Sequence, residues 1–140
     1  DQYDYVLIDN SPSLGVLMIN SLAASQQLVV PVQTEFLAIK GLERMMHTLN
    51  MVIRSQKSNL RHLILPTMFD RRTQASTQSL RTIKSTWGDD VWKYAIPVDT
   101  KFRDASMHGR VPSAYDAETH GVRAYTKLLQ NLKEMNNGNV

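Results

Sequence analysis

Polar residues suited to ligand binding follow three apolar, strand-like segments of the sequence. Asp9 closes the first segment and begins a polar stretch, residues 10–15, that has the Pro, Ser and Gly of a loop. The second group, at residues 70–73, holds an aspartate and two arginines, and the third, at residues 97–101, holds an aspartate and a lysine. Ligands of open parallel sheets bind in the crevice at the carboxyl ends of the strands. These groups are therefore the candidate site.

Asp9 has the position that a phosphoryl-transfer site gives to the carboxylate of its magnesium shell. A hard cation takes carboxylate and water oxygens and bridges nucleotide phosphates. Taken alone, an aspartate after a strand is equally compatible with capping a helix or satisfying a loop. The role of Asp9 therefore depends on the sequence around it.

The elements that must position these groups alternate between strand and helix. Apolar and β-branched runs predict strands at residues 3–8, 27–32, 63–69 and 91–96. The first of these has the composition of a buried strand. Apolar residues at helical spacing predict helices at residues 16–25, 36–53, 74–86 and 119–135. Thr34 is a candidate cap for the second helix. This alternation predicts an α/β fold, a parallel sheet with helices on its faces.

Composition excludes several classes of protein. With 42% apolar and 21% charged residues, the 140-residue chain can bury a core and is not generally disordered. It has no cysteine, which excludes disulfides, thiolate zinc sites, iron–sulfur clusters and thiol nucleophiles. No run approaches the roughly 18 apolar residues of a membrane helix, and the acidic start does not match a secretory signal. The four histidines lack metal-ligand spacing. We expect a cytoplasmic protein.

Positive charge is concentrated in the second half of the chain. Residues 1–60 hold four basic and five acidic residues, whereas residues 61–140 hold twelve and eight. Within the second half, residues 71–110 alone hold eight basic and four acidic residues. The distribution is compatible with an ordinary solvated surface and with an anion-facing patch for nucleic acid.

Four segments of the chain together resemble one family. The first reads YDYVLIDNSPSLG and continues through INSLAASQQLVVPVQTEFLAIKGL, and the others read PTMFDRRT, IPVDTKFRDASMHG and YDAETHGVRAY. They are similar, in the same order, to the deviant Walker B, switch II and later motifs of the ParA/MinD-type P-loop ATPases. The likeness is strongest to the ParA (Soj-like) proteins that partition chromosomes and plasmids. The chain departs from the common family residues at Asn10, Ser11, Val98, Asp99 and Ser106.

The resemblance implies a Rossmann-like P-loop NTPase fold with ATP and Mg²⁺ as cofactors. It assigns Asp9, as catalytic residue, to the magnesium through a water molecule, and it places residues 10–15 in the loop that responds to the γ-phosphate. Two segments are implied to enclose the adenine base. The implied nucleotide-binding residues are Asn10, Pro12, Met68, Phe69, Pro97, Val98 and Asp99. For Met68 and Phe69, packing as core residues at a strand end is the competing interpretation.

The resemblance also gives the basic stretch a function. ParA-type homodimers bind nonspecific DNA through basic residues, by sequence-independent and salt-sensitive contacts to phosphates. The implied DNA-binding residues are Arg71, Arg72, Arg81, Lys84, Lys101 and Arg103. The alternative is that Arg72 or Arg103 forms a structural ion pair with Asp70 or Asp104.

The same resemblance implies a ParB-like stimulator as partner, and a location at the nucleoid or the cell pole. Two of the segments, PTMFDRRTQAS and IPVDTKFRDAS, are also similar to those of ParA-like proteins that position chemotaxis or flagellar assemblies at the cell pole through protein contacts. That function is the alternative to partitioning.

One family motif is absent from the 140 residues. The family's phosphate-binding loop is a GKGGxGKT-like variant of the Walker A pattern, and no G-x-x-x-x-G-K-[ST] occurs in this sequence. We therefore expect residues 1–140 to be the C-terminal portion of a single ParA-like ATPase domain, inactive by itself in ATP hydrolysis. A naturally short, non-enzymatic protein is the other interpretation.

Overall fold

Two parallel strands form the centre of the fold. The computed structural model describes residues 2–11, 15–56 and 60–137. Strand β1, Gln27–Gln33, pairs with β2, Arg61–Thr67, along their whole length. The middle of β2 is buried on both faces, as expected for a parallel strand covered by helices on both sides.

Helices surround this pair of strands. In chain order they are α1 (Val16–Ala24), α2 (Phe36–Gln56), α3 (Gln74–Trp87), α4 (Lys101–Met107), α5 (Pro112–Tyr115) and α6 (His120–Asn137). A short 3-10 helix, Gly88–Asp90, follows α3. The predicted helices correspond to α1, α2, α3 and α6. The other two, of seven and four residues, are too short to show a helical period in the sequence.

The core lies on both faces of β2 because successive side chains of a strand point to opposite faces. Ile64 belongs to a cluster with residues of α1, α2 and α3, whereas Leu63 and Leu65 belong to a second cluster with Leu128 of α6. The predicted α/β class is therefore confirmed. Among the described residues, no helix combines the length and the apolar character that a bilayer span requires.

The predicted buried strand at residues 3–8 is wrong for this structure. The segment has no regular secondary structure, and its apolar side chains are exposed, Leu7 to 96%. A parallel strand exists only where a neighbouring strand accepts and donates its backbone hydrogen bonds. In the described part of the chain, β1 and β2 pair with each other, and neither pairs with residues 3–8. β-branched composition favours a pleated, half-buried surface but does not supply the neighbour.

The predicted strand at residues 91–96 is reduced to one isolated bridge, Ile64 with Val91, and a second bridge, Phe69 with Pro97, lies one residue beyond it. The Trp92 N–H donates to the Ile64 carbonyl at 2.9 Å. In a parallel ladder the next donor would be the N–H of residue 66, but Pro66 has none. The ladder is therefore interrupted, and the segment runs beside β2 without forming a regular strand.

Thr34 does not act as the predicted cap of α2. Its hydroxyl bonds to the Met68 carbonyl and to the Ser76 hydroxyl instead. At the start of the helix the Ile39 N–H donates to the Glu35 carbonyl at 3.2 Å. Thr34 therefore connects β1 to the segment after β2, which forms part of the site.

Candidate functional site

A cleft of about 710 Å³ lies beyond the carboxyl end of β2. One wall is formed by residues 69–72, which follow β2, and a second by residues 97–100. The N-terminal half of α6 forms the third wall. A separate cavity of about 580 Å³ between β1 and α2 contains none of the predicted site residues. The cleft is where two of the predicted groups meet, as expected for strand ends in a parallel sheet.

Backbone hydrogen bonds hold the first two walls together. The Phe69 N–H donates to the Ile96 carbonyl, and the Val98 N–H donates to the Phe69 carbonyl, each at 3.0 Å. Phe69, Pro97 and Val98 all line the cleft. Met68 does not line it, and at 48% exposure it is not a core residue either. The two segments that the resemblance assigns to adenine are therefore adjacent, with Phe69 at their junction.

Asp70 and Arg72 form a two-point ion pair on the first wall. The Arg72 Nε and Nη2 groups donate to the two Asp70 carboxylate oxygens at 2.9 and 2.7 Å, and the Arg72 backbone N–H adds a bond at 3.0 Å. These hydrogen bonds lower the pKa of Asp70 from its ordinary 3.8 to about 2. The structural pairing of Arg72 with Asp70, weighed as an alternative, is confirmed.

We expect Arg72→Ala to raise the pKa of Asp70 from about 2 toward its ordinary 3.8, measured by NMR titration of the carboxyl group. Because the folded-state pKa is depressed, the pair stabilises the fold above pH 3.8, and this contribution is lost as the pH falls through about 2. The difference in stability between wild type and Arg72→Ala should therefore vanish at the acid end. Equal Asp70 titration midpoints in the two proteins would contradict the pair.

Asp99 joins α4 to α6. Its Oδ1 accepts the Lys101 N–H at 3.0 Å, and its Oδ2 accepts the Gly121 N–H at 2.8 Å. Partial burial alone would raise the pKa of Asp99, but these two backbone bonds, together with the side chain of Thr119, outweigh the burial and lower the pKa. Both carboxylate oxygens thus serve helix starts. A direct contact of Asp99 with a nucleotide stays a prediction.

The predicted DNA-binding cations differ in how they are held. Arg72 pairs with Asp70, and the Lys101 Nζ lies 3.5 Å from the Asp104 carboxylate. Asp104 therefore pairs with Lys101, whereas the sequence suggested Arg103. The Lys84 ammonium donates a hydrogen bond to the Lys93 carbonyl at 2.8 Å.

Three of these cations are exposed and form no ion pair with any residue that the structure describes. They are Arg71, Arg81 and Arg103. Their charges are available to a polyanion without first separating from a carboxylate. DNA contact by the whole set stays a prediction.

The wall formed by α6 was missed by the sequence analysis. Arg123 and Lys127 line the cleft, and the Lys127 Nζ lies 3.8 Å from the centre of the Tyr94 ring. The nearby Lys127 ammonium is the main cause of a lowered pKa at Tyr94. The available signal was the spacing of Arg123 and Lys127, because residues four apart share one face of a helix.

No contact within the described residues brings the first predicted group, Asp9 with residues 10–15, to the cleft. Asp9 is exposed, and the Asn10 Oδ1 accepts the Ser21 hydroxyl at 2.9 Å. Pro12 lies outside the described residues. No cluster of three acidic or histidine side chains occurs in the described ranges. The predicted contact of Asp9 with magnesium through a water molecule stays a prediction.

Comparison with known proteins gives consistent similarities. A family model described as an AAA domain matches residues 1–62. The chain is 36% identical to the "Chromosome-partitioning ATPase Soj" of Treponema pallidum, over 94% of this chain and 53% of that protein. It is 36% identical to the "Sporulation initiation inhibitor protein Soj" of Bacillus subtilis, over 93% and 52%. The "Chromosome partitioning protein ParA" of Caulobacter vibrioides NA1000 is also 36% identical, over 93% and 49%. The chain spans about half the length of these relatives.

Proposed function

Because this chain is a homologue of the Soj and ParA chromosome-partitioning ATPases over more than nine-tenths of its length, we propose that it is part of a cytoplasmic ATPase that partitions chromosomes or plasmids. ATP and Mg²⁺ are the ligands of the complete domain in this proposal. The cleft beyond β2 receives the adenine base, and Asp9 contacts the magnesium through water. The homologues named for partitioning do not favour the polar-positioning alternative.

One observation carries the nucleotide part of the proposal. The two segments assigned to adenine, on either side of Phe69 and Pro97, bridge each other at the mouth of a cleft of about 710 Å³. A planar base needs an apolar slot with backbone polar groups at its rim. Phe69, Pro97 and Val98 supply apolar surface there, and their chain segments supply the backbone groups.

Cations at the same cleft suit the phosphates of a nucleotide. Arg71, Arg123 and Lys127 line it, and Arg71 has no ion pair among the described residues. Clustered positive side chains raise the local concentration of an anionic ligand. A phosphate loop of the Walker A type would complete the site, because positioning and charge neutralisation at the γ-phosphate are most of what such an ATPase contributes.

The proposal extends to assembly and location. The complete, ATP-bound protein dimerises around the nucleotide and binds nonspecific DNA at the nucleoid, with slow hydrolysis as the timer and a ParB-like protein as the stimulator. Exposed Arg71, Arg81 and Arg103 support the DNA part, because each cation that neutralises a DNA phosphate releases counterions from the DNA.

We expect the 140-residue chain to bind ADP weakly at the cleft and not to hydrolyse ATP. Without a phosphate loop the affinity comes from the base slot and the cations, so we expect a dissociation constant on the order of 1 mM. The measurement is NMR titration with ADP, read at the amides of Phe69 and Val98. Amides of α2 around Gly41 should not shift.

The matched control ligand is CDP, whose phosphates are the same and whose base is smaller. Cleft shifts with ADP and weaker ones with CDP would support the adenine slot. Equal shifts would reduce the proposal to phosphate binding. ATP turnover above a buffer blank that Asp9→Ala abolishes would overturn the expected inactivity.

A further inference from the structure

Two buried hydroxyl groups connect β1 to the first wall of the cleft. Thr34, just after β1, and Ser76, in the first turn of α3, are 5% and 6% exposed. Their oxygens are 2.6 Å apart although the residues are 42 positions apart in the sequence. A buried pair of hydroxyls is stable when every donor and acceptor has a partner.

The direction of each hydrogen bond follows from the proton count. A hydroxyl has one proton to donate. The Thr34 hydroxyl donates to the Met68 carbonyl at 3.3 Å, so towards Ser76 it can only accept. The Ser76 hydroxyl therefore donates to Thr34, and it accepts the Asp70 N–H at 3.1 Å. The resulting hydroxyl relay, Ser76 and Thr34, begins at the Asp70 amide and ends at the Met68 carbonyl.

The hydroxyl relay spans a backbone segment whose conformation residues other than glycine do not readily adopt. Met68 has a φ of 52°, in the left-handed region where side chains other than glycine are strained. Such a conformation persists when surrounding contacts determine it. The relay holds the carbonyl of Met68 and the amide of Asp70, which lie on the two sides of Phe69.

The Ser76 hydroxyl does not cap α3. The cap of α3 is Thr73, whose side chain accepts the Ser76 backbone N–H at 3.3 Å. The Ser76 hydroxyl therefore bonds only within the relay among the described residues, to Thr34 and to the Asp70 N–H. A separate hydrogen bond joins the ends of the two strands, because the Thr67 hydroxyl donates to the Val32 carbonyl at 3.2 Å.

We propose that Thr34 and Ser76 are positioning residues that fix the backbone of residues 68–70 and thereby place Phe69 and Asp70 in the first wall of the cleft. They contact no ligand and act through Phe69 and Asp70. The consequence for nucleotide affinity rests on the proposed function, whereas the consequence for the backbone of the wall does not.

The test compares amide hydrogen exchange in Ser76→Ala, Thr34→Val and Thr34→Ser. Ser76→Ala removes the acceptor of the Asp70 N–H, so exchange at Asp70 should accelerate about tenfold relative to the amides of the β1–β2 ladder. Thr34→Val keeps the side-chain shape without the hydroxyl and should accelerate exchange at the same wall. Thr34→Ser keeps the hydroxyl, so its Asp70 amide should exchange at the wild-type rate.

Thr82→Val is the matched control. Thr82 is on α3 as well, but its hydroxyl bonds within the helix, to the Gln78 carbonyl at 3.1 Å. Its exchange at Asp70 should equal that of wild type. ADP titration of the same variants gives the second readout, with the dissociation constant raised about fivefold in Ser76→Ala and unchanged in Thr34→Ser.

The outcomes separate this proposal from the proposed function. If wild type binds no ADP, nucleotide binding by this chain fails, and the exchange data still decide the positioning role. Unchanged exchange at Asp70 in Ser76→Ala would overturn that role. Equal acceleration at the wall and in the β1–β2 ladder would overturn it too, because it would indicate a general loss of stability. If Thr34→Val does not fold, Ser76→Ala and Thr34→Ser decide.

Discussion

Lys101→Ala should weaken nonspecific DNA binding by the full-length, ATP-bound protein to all sequences alike. Each lysine–phosphate contact releases counterions, so the slope of log affinity against log salt should shrink by about 0.9 per contact and about 1.8 in a dimer. If both contacts in the dimer are purely electrostatic, a change in slope of about 1.8 corresponds to about 60-fold in affinity at 0.1 M salt relative to 1 M salt. The measurement is binding to random-sequence duplex across a salt series.

Lys40→Ala provides the matched control. Lys40 pairs with Glu43 three residues later at 2.8 Å, as Lys101 pairs with Asp104 three residues later at 3.5 Å. Both lysines are exposed, but Lys40 lies on α2, outside the predicted basic patch. Its removal should leave the salt slope unchanged. Identical slopes in wild type and Lys101→Ala would end the assignment of Lys101 to DNA.

A substitution of Asp104, the partner of Lys101 in its ion pair, should change DNA affinity in the opposite direction. Asp104 places a carboxylate beside the ammonium and repels DNA phosphates, so Asp104→Asn should strengthen binding while Lys101→Ala weakens it. Loss of binding in both variants would indicate that α4 itself had been disrupted. The two variants together therefore separate a charge effect from a folding effect.

Gly121→Ala should lower the free energy of unfolding by about 2 kcal/mol. A Cβ at this position would lie 2.8 Å from the Phe102 ring and 2.9 Å from the Asp99 Oδ2. Neither neighbour moves freely, because Phe102 stacks on Tyr125 at 6.0 Å and the carboxylate accepts the Gly121 N–H. The close contact of α4 with α6 thus requires glycine. Denaturant unfolding measures the change.

Gly41→Ala is the control for this variant. Gly41 lies inside α2, and a Cβ there meets nothing within 4 Å. Alanine has the better helix propensity, so we expect Gly41→Ala to stabilise the protein by about 0.5–1 kcal/mol. Stabilisation by both substitutions would show that α4 and α6 are not packed as closely as the structure has them.

Local sequence pattern was sufficient for the longer elements. The spacing of apolar residues predicted α1, α2, α3 and α6, and β-branched runs predicted β1 and β2, each close to its observed bounds. These signals depend on the few residues next to each position, because a helical or strand period is a property of one segment. The polar groups after β2 and at residues 97–100 were found for the same reason.

Contacts between distant segments could not be predicted from those patterns. Asp99 bonds to Gly121, 22 residues away, and its carboxylate consequently connects two helices. Thr34 has the sequence context of a helix cap, but Ser76 and Met68 compete successfully for its hydroxyl. Residues 3–8 have a strand composition without a paired strand in the described chain.

The sequence by itself determined the α/β class, the order of the principal elements and the family that the chain resembles. The tertiary structure decided which cations are neutralised, which side chains form the third wall, and which carboxylate joins α4 to α6. The physical reason is that periodicity and propensity are short-range properties of the chain. Hydrogen-bond partners and ion pairs depend on which segments the packing of the core brings within about 3 Å of each other.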